Sequence, residues 1–68
     1  MNPNKLKGKM RSFGDRQSDL AKAIGVSATR LNAKINEKDG ADFTGKEIKA
    51  IIERYSLSDT EAIEIFFA

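Results

Sequence analysis

The 68-residue chain contains no cysteine and no histidine. Without cysteine there is no disulfide framework and no thiolate metal site. Without histidine, neither an imidazole zinc site nor a Ser-His nucleophile pair can be assembled. No apolar run approaches the ~20 residues needed to span a bilayer. The first residues lack the apolar segment of a signal peptide, so the expectation is a cytoplasmic protein with no membrane partner. Catalysis would have to rest on carboxylates, lysine or serine in a cleft, and a chain this short leaves little cavity. Leu6-Lys7-Gly8-Lys9 does not have the spacing of a phosphate-binding loop. The carboxylates of the Glu37 to Asp42 stretch do not have the spacing of a calcium loop. A binding protein is expected rather than an enzyme, with no catalytic residue, metal or cofactor. One domain over 1–68 is expected, with 1–4 a flexible leader and a modest core built by helix packing alone.

What the chain does have is concentrated between Gln17 and Asn36. Leu20, Ala21 and Ile24 fall on one face at helical spacing. Gly25 ends that pattern and can take a left-handed conformation. Val26 is an apolar plug for the corner, and Ser27 can cap a new helix with its hydroxyl. Leu31 and Ile35, four apart, give the second helix a buried side. Two short helices joined through a glycine turn form a helix-turn-helix unit. The other face of the second helix carries Ala28, Thr29, Asn32, Ala33 and Asn36, all small or polar and unsuited to a core.

Gln17, Leu20-Ala21, Ile24-Gly25-Val26-Ser27 and Leu31 resemble the helix-turn-helix of the λ-repressor-like class, especially the small phage Cro/CI-type regulators. The resemblance extends loosely over nearly the whole chain. It implies an all-α, compact five-helix domain with the helix-turn-helix at helices two and three. It also implies a homodimer on a double-stranded DNA operator, with helix three in the major groove. Ala28, Thr29, Asn32 and Ala33 are then the base-reading set. Asn32 leads it, because an amide can make a paired contact with adenine. Gln17, Ser27, Arg30, Lys34 and Asn36 are the phosphate set. Arg16 stands where the family often has Thr or Ser, a departure that moves the expected cap of helix two to Asp15. The runner-up function is a protein-interaction module that binds another regulator, such as an opposing phage repressor.

Net charge is only +2, but it is unevenly spread. Residues 1–36 hold eight Lys/Arg against two Asp, and residues 37–68 hold four against eight Asp/Glu. A basic half that contains the motif suits a polyanion. Lys5, Lys7, Lys9 and Arg11 crowd the exposed side of helix one, expected over Lys5 to Phe13 with Asn4 as its cap and Leu6, Met10 and Phe13 buried. Two of those four cations can reach phosphate; plain solubility explains any one of them equally well.

Glu37 to Asp42 reads as a polar loop, because no alternating strands flank Asp39-Gly40. Lys38 is available to touch the DNA backbone, opposed by Glu37, Asp39 and Asp42. Phe43 reads as core. Thr44-Gly45-Lys46-Glu47 is a capping box for helix four, which buries Ile48, Ile51, Ile52 and Tyr55. Ser58-Asp59-Thr60-Glu61 is a second capping box, opening helix five. That helix carries more apolar surface than one stripe needs. Ile63, Phe66 and Phe67 are therefore candidates for a dimer interface, with closure of the chain's own core as the competing explanation.

Overall fold

The computed structural model describes residues 1–67, and within them it contains five α-helices and no strand. These are α1 (Pro3–Ser12), α2 (Gln17–Ile24), α3 (Ala28–Ile35), α4 (Gly45–Tyr55) and α5 (Asp59–Phe66), with a single 3₁₀ turn at Lys38–Gly40. The all-helical expectation holds at that level.

Each helix begins where a side chain can satisfy an otherwise unpaired backbone N–H. Ser27, Thr44 and Ser58 accept from the N–H groups of Arg30, Glu47 and Glu61. Glu47 and Glu61 reach back to the N–H groups of Thr44 and Ser58. Both capping boxes form as the sequence spells them.

The start of α1 differs from the expectation. Its cap is Asn2, whose side chain accepts from the Lys5 N–H, and Pro3 occupies the first turn. Proline there has no N–H to leave unsatisfied. The Asn2 N–H donates to the Ile65 carbonyl at 2.7 Å, and Met1 packs against the core. Met1 and Asn2 therefore lie against the helices, and Pro3 and Asn4 belong to α1 itself. Helix two differs as well. Asp15 does not cap it; the Asp19 carboxylate does the work from inside, accepting from the Arg16 N–H at 2.9 Å.

Three helices end with the same hydrogen-bond pattern. At the end of α2, Val26 N–H bonds Ala21 C=O and Gly25 N–H bonds Lys22 C=O, with Gly25 at φ 79°. This is a Schellman closure, which needs a left-handed residue at its pivot. Gly14 supplies that pivot after α1, where Asp15 N–H bonds Met10 C=O. After α4 the pivot is Ser56, at φ 48°.

One core joins all five helices. Leu6, Leu20, Leu31, Ile35, Ile51 and Ile65 are completely buried, and Tyr55 is 1% exposed. Each such aliphatic side chain contributes roughly 1.5–3 kcal/mol on leaving water. Phe43 is buried as expected and packs edge-on against Phe66, with ring centroids 5.8 Å apart. Phe13, expected inside, is instead half-exposed. It lies past the end of α1 and rests edge-on against Tyr55 at 5.2 Å. Ile48 and Ile52 are partly buried at the core margin.

Candidate nucleic-acid interface

The turn after Gly25 and the Ser27 cap decide which face α3 presents. With Leu31 and Ile35 at zero exposure, Ala28, Thr29, Asn32 and Asn36 are exposed and Ala33 is half-buried. Three of the four residues assigned to base reading, Ala28, Thr29 and Asn32, thus share an outward face of short side chains, and Ala33 is partly buried beside them. Ser27 is exposed, with its hydroxyl committed to the Arg30 N–H at 3.0 Å, and Arg30 itself extends to solvent.

Lys34 has to be removed from the phosphate set. It is 5% exposed and sits on the inner side of α3. Its Nζ donates to Glu47 Oε1 at 2.6 Å and lies 6.0 Å from the Phe43 ring centroid. The same carboxylate oxygen accepts from the Thr44 N–H at 3.0 Å. Burial pushes the Glu47 carboxyl up, but the hydrogen bonds from Lys34 and Thr44 outweigh it, and its pKa lies below the ordinary value. One carboxylate therefore closes the cap of α4 and ties α3 to it. The long stem of lysine carried this charge inward, at a position where helix spacing alone put it at the edge of the outer face.

Asn32 and Asn36 are bonded to each other. Asn36 Nδ2 donates to the Asn32 carbonyl at 3.0 Å and to Asn32 Oδ1 at 3.2 Å. Asn36 was placed in the phosphate set, yet its NH₂ group is engaged within α3.

Gln17 opens α2 and lines an open cleft of about 160 Å³ together with Lys7, Met10, Arg11 and Asp15. Two cations from α1 and the first turn of α2 therefore border one shallow depression. Lys5 and Lys9 do not join them, since they pair with Glu64 and Glu61 of α5. The Lys9 and Ser58 contacts hold the Glu61 carboxyl down at about 2.

Asp15 has a role that the sequence did not disclose. Its carboxylate takes a two-point grip from Arg54, at 2.6 and 2.9 Å, and a hydrogen bond from the Tyr55 hydroxyl at 2.7 Å. The Arg54 and Tyr55 hydrogen bonds hold Asp15 below the usual carboxylate range, while burial and Asp15 push the Tyr55 hydroxyl up. Thus the α1–α2 turn is fastened to the end of α4. No local signal marks this contact, because its partners lie 39 and 40 residues along the chain.

Pairing leaves a sharper charge map than composition does. Among the described residues, both acids of 1–36 are engaged, Asp15 with Arg54 and Asp19 with Arg16. Lys7, Arg11, Lys22 and Arg30 have no ion-pair partner in that half. Among the described residues, the acids with no basic partner are Asp39, Asp42, Glu53 and Asp59, all in the second half.

The dimer candidates divide. Phe66 packs on Phe43, whereas Ile63 is 58% exposed and Phe67 is 70% exposed. Among the described residues no group of three or more acids is placed to hold a metal ion, and no helix is long and apolar enough to cross a membrane.

No family model matches the chain, and neither a curated protein nor a solved structure matches it.

Proposed function

We infer that this protein is a sequence-specific double-stranded DNA-binding regulator of the phage Cro-like kind, a λ-repressor-like domain whose helix-turn-helix is α2 and α3. The supporting observation is the outward face of α3. An α-helix about 10–12 Å across fits the roughly 12 Å wide major groove. Ala28, Thr29 and Asn32 are exposed on that face of α3. The unpaired cations of the first half supply the phosphate attraction. Lys7, Arg11 and the first turn of α2 at Gln17 make up the backbone contact, where the helix N-terminus adds its own preference for an anion. Arg30 adds a further one. Lys34 takes no part. The operator, a homodimer on it and a cytoplasmic setting belong to the same reading, as does the absence of enzyme activity.

A second reading has one observation in its favour. Ile63 on α5 and Phe67 just past its end are both exposed. A protein partner, such as an opposing repressor, would engage that apolar pair rather than α3.

An amide NMR titration with short mixed-sequence duplex DNA separates the two. The DNA reading expects Gln17, Thr29, Arg30 and Asn32 to shift at low salt. With about four phosphates neutralised, affinity falls roughly 100-fold between 50 and 200 mM salt. If those amides stay still at every salt concentration, DNA binding is refuted. The partner reading expects instead that loss of the Ile63 and Phe67 side chains abolishes function while DNA changes nothing.

A further inference from the structure

Asp15 stands between two clefts. The first, of about 160 Å³, is also bordered by Lys7, Met10, Arg11 and Gln17. The second, of about 380 Å³, is also bordered by Asp19, Lys22, Ala23 and Arg54. Lys7 and Arg11 are four residues apart on α1, so two like charges share one helix face and one cleft. Neither has an ion-pair partner among the described residues. Asp15 is the acid in the wall of that cleft, and it is partly buried. Its charge is answered from the other side. Arg54 grips both carboxylate oxygens, at 2.6 and 2.9 Å, and the Tyr55 hydroxyl adds a third bond at 2.7 Å. Arg54 lines the second cleft and not the first.

We propose that Arg54 is a positioning residue for the DNA backbone: by pairing with Asp15 it keeps the α1 cleft positive, so that a duplex phosphate serves as the counter-ion of Lys7 and Arg11 there. This rests on the DNA-binding reading above. The effect is one of charge and not of hydrogen-bonding capacity, since a carboxylate can accept further bonds. Asp15 and Arg54 together are neutral, and the cleft is left with two uncompensated cations. Without Arg54, the Asp15 carboxylate becomes a counter-ion inside the cleft itself. It then repels an incoming phosphate and competes with it for Lys7 and Arg11. Arg54 touches no phosphate in this scheme; it acts through Asp15.

The test is binding of the full chain to a fluorescent mixed-sequence duplex, followed by anisotropy over a range of salt concentrations. Phosphate attraction does not depend on base sequence, so no operator is needed. Three variants are compared with the wild type, and far-UV circular dichroism establishes that each is folded. Arg54→Gln is expected to bind more weakly, with a salt slope smaller by about 1. Arg54→Gln combined with Asp15→Asn has the wild-type net charge and no acid in the cleft. It is expected to recover the wild-type affinity and slope. Asp15→Asn alone is expected to bind at least as tightly as the wild type. A purely structural fastening of the α1–α2 turn to α4 gives a different pattern. Every variant that breaks the pair would then bind more weakly, the double variant included. The proposal is overturned if the double variant stays as weak as Arg54→Gln, or if Asp15→Asn alone weakens binding. It is overturned equally if Arg54→Gln changes neither affinity nor slope. If the wild type binds no duplex at any salt concentration, the DNA-binding reading itself fails, and the proposal falls with it.

Discussion

Lys34 shows how a single side chain changes the account of a surface. Its Nζ is buried against Glu47, which simultaneously caps α4 through Thr44. Taking away one member of such a pair leaves an uncompensated charge away from water. Lys34→Met is therefore expected to lower stability by about 2–4 kcal/mol in urea unfolding. Lys34→Met with Glu47→Gln should recover part of that loss. Glutamine removes the stranded charge and still fits the third helical position of a capping box. If the double variant is no more stable than the single one, the cost lies in lost stem packing and not in charge. Asn36 belongs at this scale too. Its side-chain NH₂ group donates to both the backbone and the side chain of the residue one turn earlier.

At the scale of elements, the helix ends carry most of the information. Gly14, Gly25 and Ser56 occupy the same left-handed pivot, and only Ser56 has a Cβ. A left-handed residue other than glycine costs roughly 1–2 kcal/mol. Glycine removes that cost and adds some unfolded-state entropy. Ser56→Gly is accordingly expected to raise stability by about 0.5–1 kcal/mol, read as a higher thermal midpoint. An unchanged or lower midpoint would mean that the Ser56 hydroxyl makes up for the strain. The segment between α3 and α4 has the same character. Glu37 and Asp39 are both at φ 53°, with Gly40 at φ 76°. The stretch reads in sequence as a polar loop, and within it the chain forms a 3₁₀ turn at Lys38–Gly40.

For the whole molecule, the ion pairs set the response to acid. Asp15, Asp19, Glu47 and Glu61 all have carboxyl groups held below their ordinary values of 3.8 or 4.5. The unfolded chain takes up protons at those ordinary values, before the folded protein does. Stability from these groups is fully present above about pH 5 and falls as the pH drops through the depressed values. For Glu61 the loss continues down to about 2. Urea midpoints should be flat from pH 7 to 5 and then decline steadily below about 4.5. A midpoint that rises on acidification would contradict the pairing pattern. The same pairs leave the partnerless cations of the first half unopposed within it, which is the electrostatic ground for the functional proposal.

The sequence by itself determined where the helices are and how most of them start. Ser27, Thr44 with Glu47, Ser58 with Glu61, and the break at Gly25 are local signals, each acting over three or four residues. Their chemistry does not depend on the rest of the chain. The stripe of Leu20, Ala21, Leu31, Ile35, Ile51 and Tyr55 was legible for the same reason, and it leaves Ala28, Thr29 and Asn32 outside. Only the tertiary structure decided which charges remain available. Lys34 pairs across 13 residues, Asp15 across 39 and Lys5 across 59. Helical periodicity carries no information over such separations. A flexible cationic side chain can turn inward or outward from nearly the same backbone position. The direction it takes depends on whether a distant helix brings a carboxylate within reach.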